Sequence, residues 1–105
     1  MDENTDYSQI AELNLIRKEL NKLPDLTKYT NLKILKCSSN KINSLDNLPK
    51  LLKIFSCGFN NISSLNNLPE SLTHFNCYNN PLIYEFVATI ENIRAYNKSK
   101  GIQNN

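Results

Sequence analysis

The chain has 105 residues, enough for one small domain, and its 12 Lys and Arg balance 10 Asp and Glu to a formal charge of +2. The two signs are interspersed, so no basic stripe points to nucleic acid and no block of charge points to an anionic membrane. No window approaches the ~20 apolar residues of a membrane helix. Three cysteines, an odd count, argue against a secreted disulfide framework.

Residues 1–9, M-D-E-N-T-D-Y-S-Q, show no apolar period and lack the basic and apolar regions of a signal peptide. They are expected to be a flexible or lightly docked lead-in to an intracellular, cytoplasmic protein. From Ile10 an apolar pattern begins, carried by Leu13, Leu15, Leu20, Leu23 and Leu26. The stretch 10–23 has two readings. Ile10, Leu13, Ile16, Leu20 and Leu23 recur at helical spacing, which would make it a capping helix. Leu13, Leu15 and Leu20 also align with Leu35, Cys37 and Ile42, which makes it a first repeat opening with a strand, and that alignment favours the strand.

The next stretch, Leu32 to Leu48, reads L-K-I-L-K-C-S-S-N-K-I-N-S-L-D-N-L. It recurs at Leu52 to Leu68 as L-K-I-F-S-C-G-F-N-N-I-S-S-L-N-N-L and begins again at Leu72 as L-T-H-F-N-C-Y-N-N-P-L. Leu15, Cys37, Cys57 and Cys77 are separated by 22, 20 and 20 residues. In each unit two apolar positions stand two apart, such as Leu35 and Cys37, so they leave one face of a strand together. The residues between them face solvent. Asn40, Asn60 and Asn80 follow, and an amide that both donates and accepts can satisfy backbone groups where the chain leaves the strand. Ile42, Ile62 and Leu82 return to the core, and Leu45, Leu48, Leu65 and Leu68 fill its outer half. Pro49 and Pro69 suit extended, turn or 3₁₀ segments there. Lys18 stands where the first unit would have its Asn, which fits an atypical terminal unit.

This period and the L-x-x-L-x-L-x-x-N-x-L pattern over residues 10–83 resemble the leucine-rich repeat family. The 22-residue spacing looks like the short intracellular class. The 20-residue spacings, with Leu48-Pro49 and Leu68-Pro69, look like the short class of bacterial effectors and giant-virus proteins. The resemblance implies an α/β fold, a right-handed curved solenoid with a parallel sheet on its concave side. It also implies that such domains usually bind proteins.

After Pro81 the repeat ends, with Glu85 where Leu is due. Phe86, Val87, Ile90 and Ile93 follow helical spacing, so residues 84–98 are expected to be an amphipathic helix closing the open end of the array. Gly101 supplies its stop, and residues 99–105 form a polar tail.

Cys37, Cys57 and Cys77 read as a ladder of small buried hydrophobes. In-register strands hold neighbouring Cβ atoms wider apart than a disulfide's roughly 3.8 Å, and His74, three residues from Cys77, points to the opposite face from it. No metal, cofactor or catalytic residue is therefore assigned. A cysteine-dependent enzyme is the disfavoured alternative, because a reactive thiol needs exposure and a neighbouring base or cation.

The functional assignment falls on solvent-facing strand positions. Ile34 and Ile54 are apolar where a polar residue would serve an unliganded face, and Phe59 and Tyr78 add aromatic area. Ile34, Lys36, Ile54, Ser56, Phe59, His74, Asn76 and Tyr78 are the predicted contact residues for a protein partner, with Lys36 on the rim and Tyr84, Tyr96 or the tails as possible extensions. An assembly or regulatory subunit docking through its edge or convex face is the other non-enzymatic reading.

Overall fold

The computed structural model describes residues 5–66 and 68–102. Three-residue strands arise at the predicted positions: β1 (Glu12–Asn14), β2 (Ile34–Lys36), β3 (Ile54–Ser56) and β4 (His74–Asn76). They form one parallel sheet in the order β1-β2-β3-β4. Its register, Leu13 to Leu35 to Phe55 to Phe75, matches the sequence alignment residue for residue. The stretch 10–23 thus opens with a strand and not a helix.

Each unit sends its apolar positions to one continuous core. Leu35, Cys37, Ile42 and Leu52 are fully buried, as are Cys57, Ile62, Leu65 and Leu68. Phe55 stacks on Phe75 at 6.0 Å between ring centres. The connections opposite the sheet contain turns and no helix among the described residues, closed by bonds such as Leu52 N–H to Pro49 O and Leu72 N–H to Pro69 O. No helix is long and apolar enough to cross a membrane among the described residues.

The asparagine column is wired backwards along the chain. Asn60 Nδ2 donates to Cys57 O and Gly58 O in its own unit and to Cys37 O in the preceding one. Its Oδ1 accepts from Ile42 N, also in the preceding unit. Asn80 repeats this with Cys57 O and Ile62 N, and Asn40 with Leu15 O, Lys18 N and Leu20 N. Each Asn therefore completes the turn before it. An Asn at position 18 would have no earlier unit to serve, which is why Lys is tolerated there. At the other end the column has no later member among the described residues, and Leu82 N–H turns instead to Asn80 O at 2.9 Å.

The two residues that lengthen the first unit place Tyr29 against the lead-in. Tyr7 meets Tyr29 edge-on at 5.1 Å, Lys28 lies 4.3 Å from the centre of the Tyr7 ring, and Asn31 Nδ2 donates to Ser8 O. Residues 5–9, including a 3₁₀ turn at Tyr7–Gln9, are thus docked. The rest of the expected lead-in, 1–4, and the tail residues 103–105 lie outside the described residues.

The C-terminal segment departs from expectation. The helix α1 spans Ile90–Ser99, six residues later than its predicted start. Residues 82–89 form no helix and bend at Glu85 and Phe86, and their burial alternates: Leu82, Tyr84, Phe86 and Ala88 pack on the core while Ile83, Glu85 and Val87 are exposed. A short apolar run fits both periods, and here the period of two prevails because it places an apolar residue over the end of the core at every second step. Tyr84 stacks on Phe86 at 4.9 Å, and its hydroxyl accepts from Leu65 N at 2.8 Å. Thr89 then caps α1, its side chain accepting from Asn92 N. Gly101, at φ 71°, ends it as expected, with Gly101 N–H to Lys98 O and Ile102 N–H to Asn97 O.

The helix packs on the core at the open end of the array and leaves the outer edge of β4 without a strand beside it. It covers the side away from the strands. Ile93 is fully buried, Asn97 Nδ2 donates to Leu65 O, and Arg94 Nη2 donates to Pro69 O at 2.6 Å. β4 has a strand on one side only.

Candidate functional site

The sheet register brings the predicted contact residues into two rows. Ile34, Ile54 and His74 align across β2, β3 and β4, and Lys36, Ser56 and Asn76 align in a second row. Ile54 is 38% exposed; Ile34, in the inner strand beside it, is half-buried. Lys36 lies in β2, on the side of the patch that borders β1. Its Nζ is 3.1 Å from Glu12 Oε2, so the charge is already matched from β1. The His74 ring shares a hydrogen bond of 2.9 Å with Thr73 Oγ1 through Nδ1.

Phe59 and Tyr78 stand just beyond the strand ends, 59% and 70% exposed. Phe59 N–H donates to Tyr78 O at 2.7 Å, joining the two by backbone. Asn76 Oδ1 accepts from Tyr78 N at 3.1 Å, which fixes how the chain leaves β4. Gly58 makes room for this arrangement: a Cβ there would stand 3.2 Å from Tyr78 O and 3.6 Å from Asn76 Oδ1. Gly58 is therefore buried beneath the fourth unit.

One feature of the site was not anticipated. Arg17, Ser39, Phe59 and Asn79, the residues before position 18 and the three column asparagines, all have φ between 55° and 60°. The left-handed conformation costs an ordinary L-residue roughly 1–2 kcal/mol, and only Gly, Asn and Asp adopt it readily. Asn79 fits this need; Phe59 does not. A large exposed aromatic ring is thus held where a small polar residue would relieve the backbone. The alignment of 17, 39, 59 and 79 was visible in the sequence, but of these residue types only Asn79 favours positive φ.

Tyr84 and Tyr96 do not extend the face. They meet edge-on at 5.1 Å, and Phe86 packs on both. The Tyr84 hydroxyl is half-buried and already bonded to Leu65 N, and burial raises its pKa.

The three thiols are free and buried in the core. Burial pushes Cys37 from the ordinary 9.0 up to about 12 and raises Cys57 and Cys77 as well. Among the described residues no group of three His, Cys, Asp or Glu side chains could hold a metal ion. The raised values favour the neutral thiol in the folded state. Their stabilising contribution is complete below pH 9 and declines as pH rises, for Cys37 between pH 9 and about 12. Native alkylation at pH 8 is expected to be slow at Cys37 and Cys57 and fast after denaturation; rapid native labelling of Cys57 would contradict its burial.

Compared with protein-family models and with curated proteins, the chain matches none.

Proposed function

We propose that the chain is a short solenoid of the leucine-rich repeat type that binds a protein partner, without catalysis, through the solvent face of its sheet and the Phe59–Tyr78 lip. The observation that carries this reading is Phe59. An aromatic side chain both exposed and placed on left-handed backbone works against solubility and stability, and strain of this kind concentrates at functional sites.

Size shows why the lip matters. Three residues along each strand and three gaps between strands give a face on the order of 150 Å². A standard interface takes roughly 800 Å² from each partner. The rows of Ile34 and Lys36 can therefore only be the centre of a contact, and Phe59 and Tyr78 extend it in the direction in which exposed aromatic surface is available.

Two variants test this against a partner captured by crosslinking. Ile54→Ala with Tyr78→Ala should abolish capture and leave the melting curve nearly unchanged. Phe59→Asn should also weaken capture while stabilising the fold by up to about 1 kcal/mol, because Asn tolerates positive φ. Undiminished capture by both variants would overturn the proposal. The reading in which the opposite face docks has one observation behind it: Leu51, 44% exposed, borders a groove of about 370 Å³ lined by Leu26, Tyr29, Leu48 and Pro49. Loss of capture in Leu51→Glu alone would favour it.

A further inference from the structure

A second surface is built into the last strand. Along the sheet, each unit hands a repeating set of backbone groups to the next. Cys37 N–H donates to Ser56 O and Cys57 N–H to Asn76 O; Ser39 N–H donates to Gly58 O and Phe59 N–H to Tyr78 O. Lys33 O accepts from Lys53 N, and Lys53 O from Thr73 N. The equivalent groups of the fourth unit are Cys77 N–H, Asn79 N–H and Thr73 O. Among the described residues none of the three has a backbone partner. They lie along one edge in the alternation of a parallel ladder, so what completes them is another extended backbone.

A groove of about 620 Å³ runs between β4 and residues 86–91. Phe75, Cys77, Phe86 and Ala88 give it an apolar lining, and the exposed side chains of Tyr78 and Val87, 70% and 75% accessible, stand at its borders. Residues 82–89 and α1 already cover the core behind β4, so a complete further repeat unit, from this chain or a second copy, has no core left to stack on. A single extended segment does. The groove's one carboxylate is Glu91, at the first turn of α1 and exposed. A Lys or Arg on the incoming strand complements it, as Lys36 complements Glu12 between β2 and β1.

We propose that the β4 edge takes up an extended peptide segment of a partner as a fifth parallel strand, with alternate apolar side chains directed into the groove and a basic residue opposite Glu91. This is strand addition, in which the backbone supplies affinity and the alternate side chains supply specificity. It does not require the face built on Ile34 and Ile54.

The probe is a synthetic peptide copying residues 31–41 of this chain with Cys37→Ser, which carries the strand pattern with Lys36 in the strand and Lys33 just before it. Added to the full-length protein at up to millimolar concentration, it should slow amide exchange at Cys77 and Asn79 about tenfold or more and shift resonances of β4 and residues 86–91. The same peptide with Ile34→Pro, which loses the N–H that position 34 gives to the preceding strand (Ile34 N–H to Ala11 O in the chain, Thr73 O in the complex), should do neither. Glu91→Gln in the protein should weaken the peptide by about 2- to 5-fold. Ile34→Ala with Ile54→Ala should leave it unchanged, which separates this surface from the one proposed above. No perturbation of β4, protection of β1 instead, or equal binding of the proline peptide would each overturn the proposal.

Discussion

Asn60→Ala is expected to cost about 3–5 kcal/mol, a large share of the ~5–15 kcal/mol that holds a domain folded. The amide is 6% exposed and serves four backbone groups in two units: Cys37 O, Cys57 O, Gly58 O and Ile42 N. Alanine removes all of these contacts, and each buried group left without a partner costs roughly 1–3 kcal/mol. At least Ile42 N–H and one carbonyl are out of reach of water, because Asn60 lies between the second and fourth units. Asn80→Ala should cost less: Asn80 is half-buried at the end of the column, and water can replace part of what it supplies. Asn60→Asp sharpens the test. An ionised carboxylate still accepts from Ile42 N but faces three carbonyl oxygens with no proton to give. Its pKa is expected to be raised in the folded state, so its deficit relative to the wild type should shrink as pH falls and grow as pH rises. Chemical denaturation of the three variants at pH 4 and pH 7 measures this. A cost for Asn60→Ala under 1 kcal/mol would show that the column does not hold the units together.

How much of this was legible in the sequence depends on whether a feature repeats. The strands, their register, the buried thiols and the asparagine column follow from the 22, 20 and 20 spacing of Leu15, Cys37, Cys57 and Cys77, because in-register stacking forces equivalent residues into equivalent environments. The direction in which each Asn reaches was not legible, since an amide can serve its own turn or a neighbour's. That direction explains Lys18, which the sequence could only mark as an exception. Residues 82–89 occur once, so no second copy arbitrates between a helical and an alternating reading of Phe86, Val87 and Ile90. The non-helical path is decided by tertiary contacts, with Tyr84 reaching Leu65 and Ile83 N–H bonding Ser63 O. For the candidate site, the rows of Ile34 and Lys36 were legible from strand alternation. The Glu12–Lys36 pair, the close approach at Gly58 and the left-handed backbone at Phe59 depend on neighbours in space and were not.

Phe55→Ala should be the other severe substitution, at about 3–5 kcal/mol. Phe55 is 1% exposed, in register with Leu35 on one side and stacked on Phe75 at 6.0 Å on the other. A ring removed from an interior layer leaves a cavity bounded by strands on both sides, which can collapse only by bending the sheet. The informative comparison is Phe75→Ala. Phe75 belongs to the same column but is half-buried in β4, whose outer edge has no strand beside it. Truncation there opens a notch that water can enter, and the expected cost is roughly half. In an array where each unit touches only its neighbours, the interior loss also weakens the coupling between units, whereas the terminal loss frays one end. Denaturation of Phe55→Ala should therefore show a lowered m-value or a second transition, with β1–β2 and β4–α1 responding separately, while Phe75→Ala should shift the midpoint and leave the slope unchanged. Equal costs and identical slopes for the two variants would mean that the domain melts as one unit with no interior and no ends.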